Sequence, residues 1–183
     1  RTLFDSAGRI VRETNALGGV TVHREEMDAQ RHRVRTTIYP DGGTRIETYL
    51  ADGELGEITG TAVAPVRYVH GLQVDEGFYR RVLTEIKLDE NGLETPEWSR
   101  QFRDGIGRTC KTVYPGDGPV ISRVDFNRRG QVVRTVDPDN VTMLFQYDPL
   151  GSLEFSCVDS NRNDWIVLVG EEGIRRSLTD MMG

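Results

Sequence analysis

Six consecutive residues, Asp159-Ser160-Asn161-Arg162-Asn163-Asp164, place carboxylate and amide oxygens at alternate positions, as at the opening of a calcium loop. A hard divalent cation takes an all-oxygen shell, so Asp159, Asn161 and Asn163 are the candidate metal ligands. A complete loop also wants Gly sixth and a bidentate acid twelfth. This stretch has Asp164 sixth and Gly170 twelfth, with Glu171 and Glu172 just beyond. These departures make an Asx-rich turn that holds no ion the expectation, with a weak calcium site as the alternative. No other cofactor is expected.

The remaining chemistry-bearing residues are dispersed. His23, His32 and His70 lack metal-ligand spacing and read as surface or strand-packing side chains. Cys110 and Cys157 sit beside no His and in no Cys-x-x-Cys motif, so neither reads as a nucleophile; stacked strands could bring them together, but two buried free thiols is the plainer expectation. There is no Gly-x-Ser-x-Gly elbow, phosphate loop or dinucleotide fingerprint. In Arg31-His32-Arg33-Val34-Arg35, strand alternation would put Arg31, Arg33 and Arg35 on one face, able to meet an anion or a polysaccharide. Glu25, Glu26 and Asp28 nearby would balance it into an ordinary solvated face. Asn140-Val141-Thr142 is a glycosylation sequon, of consequence only in a eukaryotic secretory setting. The expectation is a protein with no catalysis of its own.

The frame for these residues is a chain of 183 residues with 23 basic and 29 acidic side chains, net charge −6. That balance argues against a nucleic-acid or anionic-membrane surface, which needs clustered Lys and Arg. With 37% hydrophobic and 28% charged residues the composition is that of a folded chain. No apolar run approaches the ~20 residues of a membrane span. The chain opens Arg1-Thr2-Leu3-Phe4 without an initiator Met, and the expectation is a piece of a longer polypeptide.

Repeats organise what lies between. Phe4-Asp5-Ser6-Ala7-Gly8-Arg9-Ile10, Tyr49-Leu50-Ala51-Asp52-Gly53-Glu54-Leu55, Asp104-Gly105-Ile106-Gly107-Arg108-Thr109, Phe126-Asn127-Arg128-Arg129-Gly130-Gln131-Val132 and Tyr147-Asp148-Pro149-Leu150-Gly151-Ser152-Leu153 all run through a turn to Gly and into a strand-like segment. Gly107, Gly130 and Gly151 are 23 and 21 positions apart. Gly8 and Gly53 lie 45 apart, with an unclear unit between, and the 54 positions from Gly53 to Gly107 imply an insertion. Turns read as a second kind, Tyr39-Pro40-Asp41-Gly42-Gly43, Tyr114-Pro115-Gly116-Asp117-Gly118 and Asp137-Pro138-Asp139-Asn140, alternate with these. Period-two segments such as Arg45 to Tyr49, Gln131 to Val136 and Thr142 to Tyr147 connect them as half-buried strands. Val63 to Val69 and Phe78 to Leu88 predict a longer hairpin around His70 to Gly77, with a further turn at Asp89-Glu90-Asn91-Gly92. A short helix near Arg175 to Met182 is the only helical expectation.

At these units the chain resembles the Rhs, or YD-repeat, family, whose signature is an aromatic, Asp, two variable residues, Gly, Arg and an aliphatic. Phe4, Asp5, Gly8 and Arg9 fit it with Phe for Tyr. Tyr147, Asp148 and Gly151 fit with Ser152 in place of Arg. Tyr49 with Gly53, Gly107 with Arg108, and Phe126 with Gly130 fit in part, the Gly107 unit carrying an extra residue. The resemblance implies an all-β fold: stacked antiparallel hairpins of a spiral sheet, here an open-edged slice of a larger barrel. One repeat region would run over 1–183, with units near 4–60 and 102–158 and the longer hairpin near 62–98. It implies a structural role in a secreted or cell-surface bacterial protein, as part of a β-shell around a toxin or cargo domain. The partners would be further repeats and a C-terminal domain of the same polypeptide. The alternative is a cell-surface module that binds carbohydrate, such as surface glycans, or a partner protein. Shells of this family end in a self-cleaving segment around a motif similar to Asp148-Pro149-Leu150-Gly151; here the motif lies inside an ordinary unit and reads as a turn.

Overall fold

The computed structural model describes residues 1–118, 120–159 and 165–169. These form fifteen β-strands and no helix: β1 (Thr2–Phe4), β2 (Ile10–Thr14), β3 (Val20–Met27), β4 (Arg33–Ile38), β5 (Thr44–Tyr49), β6 (Leu55–Thr59), β7 (Val66–Asp75), β8 (Phe78–Leu88), β9 (Glu94–Arg103), β10 (Thr109–Tyr114), β11 (Val120–Phe126), β12 (Val132–Val136), β13 (Thr142–Tyr147), β14 (Leu153–Asp159) and β15 (Trp165–Val169). Each strand pairs with its neighbours in sequence, and the order runs from β1 to β15 without closing. The all-β, antiparallel, open-edged expectation is met. The helix expected near Arg175 lies outside the described residues.

One turn recurs ten times among the described residues. In the first, the Asp5 N–H donates to the Arg9 carbonyl at 2.9 Å and the Gly8 N–H to the Asp5 carbonyl at 3.1 Å. Gly8 sits at φ 77°, so this is a type I turn completed by a left-handed residue, which restores the strand twist. The same two bonds close turns beginning at Asn15, Asp28, Tyr39, Leu50, Asp89, Asp104, Asn127, Asp137 and Asp148. Two differences from the sequence reading follow. The turns at Tyr39 and Asp137 are not of a second kind. The missing unit between Gly8 and Gly53 is Asp28 to His32, hidden because Arg31 takes the left-handed position, at φ 65°, where a glycine was expected.

The implied insertion is also regular. β7 and β8 form a hairpin whose turn is only Glu76 and Gly77, at φ 51° and 82°, a two-residue primed turn. His70 to Asp75, expected in the loop, continue the strand. The stretch from Gly53 to Gly107 thus adds no foreign element: it holds four strands, as Gly8 to Gly53 does, three of them lengthened to ten or eleven residues.

A second irregularity repeats at the turns that carry the family-like motif. Across the β1–β2 pair, Leu3 faces Arg12 and Phe4 faces Ile10, leaving Val11 unpaired. Equivalent slips leave out Gly56, Cys110, Val133 and Glu154. An extra residue bends its strand and sharpens the local twist. The β3–β4 pair lacks this slip, as do the pairs joined by the turns at Asn15, Tyr39 and Asp137.

The chain divides into two compact units, Arg1–His70 with Leu83–Trp98, and Gly71–Val82 with Ser99–Gly183. In the first, Val66 and Leu88 are buried; in the second, Val82, Phe102 and Cys157, with Leu144 and Phe155 packed on Cys157. Most other strand side chains are half-buried on either face. Ladder hydrogen bonds and cross-strand pairs therefore carry more of the stability here than a deep core does.

Two glycines test the backbone argument differently. Gly8 is strained only by its positive φ, since a Cβ there meets nothing within 4 Å. At Gly60, φ 125°, a Cβ would stand 2.2 Å from the Thr44 carbonyl oxygen, where Thr44 also holds the N–H groups of Thr61 and Ala62. Gly8→Ala is expected to cost about 1 kcal/mol, and Gly60→Ala clearly more. Urea unfolding midpoints of the two variants check the order.

Candidate functional site

The repeat-motif residues meet at the motif turns. Asp5 Oδ1 accepts the N–H groups of Ala7 and Arg9, both at 2.9 Å, and Oδ2 takes Arg9 Nε at 2.8 Å. Asp104 does the same: Oδ1 accepts the N–H groups of Ile106 and Arg108, and Oδ2 takes Arg108 Nε at 2.7 Å. The Gly107 unit therefore has no extra residue; Asp104 is its Asp, three residues before its Gly. Asn15 and Asn127 serve as the same double acceptor, each with one amide oxygen. Where Tyr39 or Leu50 opens the turn there is no such oxygen, and Asp41 or Asp52 accepts the second-next N–H instead.

From these turns, side chains reach to the next unit. The Arg108 guanidinium stacks 4.0 Å over the Phe126 ring, and Arg33 stacks 4.1 Å over Tyr49. Gln131, in the motif's Arg position, donates to the Gly151 carbonyl at 3.0 Å, and Arg129 to the Pro149 carbonyl at 2.9 Å. The Tyr147 hydroxyl donates to the Val132 carbonyl at 2.9 Å. Phe126, Tyr49 and Tyr147 thus make contacts between hairpins, whereas Phe4 is 59% exposed. In the pair Arg108 and Phe126, the Arg and aromatic positions of successive motifs meet in one contact.

In the first unit a cavity of about 360 Å³ is lined by Asp5, Arg9, Ile10, Val11, His23, Arg24, Glu25 and Arg35. Arg9 bridges Asp5 and, at 3.2 Å, Glu25. Arg35 faces Glu25 on one side and Glu47 on the other in the strand register. His23 has Nδ1 3.2 Å from Thr37 Oγ1 and Nε2 3.4 Å from Glu13 Oε2, so both ring nitrogens are engaged. Of the three arginines expected on one face, Arg31 lies in a turn and only Arg33 and Arg35 share the strand face. The cavity offers guanidinium groups beside carboxylates, a surface for polar recognition without a nucleophile–base pair.

His32 and His70 are local supports: His32 Nδ1 lies 3.2 Å from Asp28 Oδ2, and His70 Nε2 donates to the Leu55 carbonyl at 2.8 Å. Both cysteines are free thiols, Cys157 buried and Cys110 partly so, and they stand on β14 and β10, with three strands between. Burial pushes both thiols up from their ordinary range, which disfavours thiolate chemistry. Asp148 Oδ1 accepts the Ser152 N–H at 2.8 Å, so the Asp148 to Gly151 stretch is another of the ten turns. Of the calcium candidates, Asn161 and Asn163 lie outside the described residues, as does the side chain of Asp159. Among the described residues no group of three His, Cys, Asp or Glu is placed to hold a metal ion, and no helix is long and apolar enough to cross a membrane.

The turn carboxylates give the protein an acid limb. Burial pushes the Asp104 carboxyl up, but the Arg108 N–H, the Arg108 guanidinium and the Ile106 N–H outweigh it and hold it below its usual range. A carboxyl lowered on folding contributes stability above its unfolded pKa of about 3.9, lost as pH falls through the folded value. Asp104→Asn keeps the Oδ1 acceptor, as Asn127 does, and loses the ion pair with Arg108. It should cost about 1 kcal/mol at pH 7, and the gap to the parent should narrow as pH falls toward and through the folded value. Asp104→Ala, which removes both acceptors, should cost more at either pH. Denaturant titrations of the three proteins at pH 7 and pH 3 read both effects.

Compared with known proteins, the chain matches no family model and no curated protein.

Proposed function

We propose that this chain is a non-catalytic structural segment of a larger protein of the Rhs or YD-repeat type, its hairpins forming part of a β-shell around a toxin or cargo domain. The observation that supports this reading most is the tenfold recurrence of one turn in a strictly sequential sheet, with side chains at and beside the motif positions spent on contacts between successive hairpins. Side chains that a catalyst would keep available, His23 and Asp104 among them, are committed to neighbours in the sheet. A chain built this way extends a surface and leaves chemistry to what that surface encloses. The source would be a bacterium and the setting the cell surface or the exterior.

The test begins with the native gene product, captured from source cells and weighed. A species several times heavier than 20.6 kDa is expected, and deletion of residues 1–183 from it should leave a downstream domain open to protease. A free product of this size, or a downstream domain equally protected without the segment, would overturn the reading.

The cavity beside Arg9, Arg24 and Arg35 favours a second reading, a surface module that holds an acidic glycan or a partner protein. An array of acidic and neutral glycans checks it: retention of an acidic sugar that Arg35→Ala reduces at least tenfold supports it, and an empty array counts against it.

A further inference from the structure

The tip of the β7–β8 hairpin is fastened to strands it is not paired with. In the strand order β10 lies three places from β7, about 14 Å across a flat sheet. Yet Asp75, the last residue of β7, holds Lys111 of β10 by a direct ion pair, and Glu76 in the turn holds Arg123 of β11. Those spans exceed what the side chains bridge in plane, so the tip leans over the face that carries Lys111 and Arg123. Residues 71–82 accordingly group with the second unit, while the base of the hairpin groups with the first.

What holds the end of the tip down is charge, while Val82 at its base is buried. The tip's large apolar side chains are mostly turned to solvent: Leu72 is 69% exposed, Val74 62%, Phe78 67% and Tyr79 82%. Two of its ionic side chains are covered, Asp75 at 11% and Arg80 at 19%, as is the facing Lys111 at 15%, while Glu76 and Arg123 pair at the surface. Lys111 Nζ also lies 4.9 Å from the centre of the Phe102 ring, and Phe102 and Val82 are buried in this unit. Arg80 Nη1 donates to Cys110 Sγ at 3.2 Å. The closure is incomplete: Arg80 Nε, 3.3 Å from Asp75 Oδ2, is buried with no hydrogen-bond partner. A clasp of partly buried charges with one donor unspent is held less firmly than an apolar contact of equal size.

We propose that residues 71–82 form an electrostatic strap fastened over strands β10 and β11, released as a unit when its charges are screened or neutralised, uncovering the Phe102–Cys110 face. The groups that set its closure are Asp75 and Glu76 on the strap, Arg80 on its returning strand, and Lys111 and Arg123 beneath. Release breaks these contacts together with the hydrogen bonds of residues 78–82 to β9, and leaves the ten turns intact. The strap is a property of this hairpin alone and stands or falls independently of the shell reading.

Cys110 and Cys157 supply a built-in readout, since only Cys110 lies beside Arg80. The rate of thiol modification at each cysteine, located by mass spectrometry, is measured on the full chain in 0.05 and 1 M sodium chloride. Amide hydrogen exchange over 71–82 is followed in parallel. Modification of Cys110 should rise at least tenfold with salt, with faster exchange over 71–82 and Cys157 unchanged. Glu76→Gln and the double variant Asp75→Asn, Glu76→Gln should bring the same rise at low salt, the double variant more strongly. A Cys110 rate indifferent to salt and to Glu76→Gln overturns the proposal. So does a parallel rise at both cysteines, which would be unfolding of the unit and not release of a strap.

Discussion

Everything in this fold depends on reversing an extended backbone about every eleven residues without leaving its polar groups unpaired. Each reversal must turn four residues, satisfy the N–H groups exposed inside the turn, and return the chain with the right-handed twist that the next strand requires. The recurring solution here uses two backbone bonds, one left-handed residue and, in eight of the ten turns, an Asx side-chain oxygen at the first position. Once the reversals are set, the register between neighbours is set as well. The sheet then needs little from a core, consistent with the few apolar side chains that are fully buried among the described residues.

The two alternating sets of turns are chemically alike, but their surroundings differ. At the turns beginning at Asp5, Leu50, Asp104, Asn127 and Asp148 the strand leaving the reversal carries an extra, unpaired residue, and from Asp104 and Asn127 side chains reach to the next hairpin. The extra residue adds twist on that side of the hairpin and brings the Arg or Gln after the left-handed position over the following aromatic or carbonyl. The turns at Asn15, Tyr39 and Asp137 join strands in unbroken register. Periodicity in the chain is thus a property of pairs of strands, and single turns repeat at half that interval.

The strand class and most reversals were legible because Gly, Pro and Asx residues mark turns through local backbone physics. Legibility failed where another residue could fill the same conformation. Arg31 takes a left-handed φ that glycine usually takes, and Asp28 to His32 consequently carries no glycine to advertise it. It failed again at His70 to Asp75, where Gly71 and polar neighbours suggested a loop but the two-residue turn at Glu76 and Gly77 kept the strand running. The cavity and the Asp75 cluster were beyond sequence reading for a different reason. Arg9 meets Glu25 across 16 positions and Lys111 meets Asp75 across 36, and only the registers of several strands together determine such meetings.

The interchangeable oxygens of the turn bear on how such a chain can drift. Turns opening with Tyr39 or Leu50 draw the acceptor from the third position, through Asp41 or Asp52, and most others draw it from the first. Asp137-Pro138-Asp139-Asn140 carries a carboxylate at both positions and uses the first. A lineage passing through that doubly supplied form can move the acceptor from one position to the other by single substitutions, with the reversal satisfied at every step. Repeats in this architecture can therefore lose their shared spelling while their hairpins stay superimposable in kind, and ancestry would persist longer in the bonding pattern than in the letters.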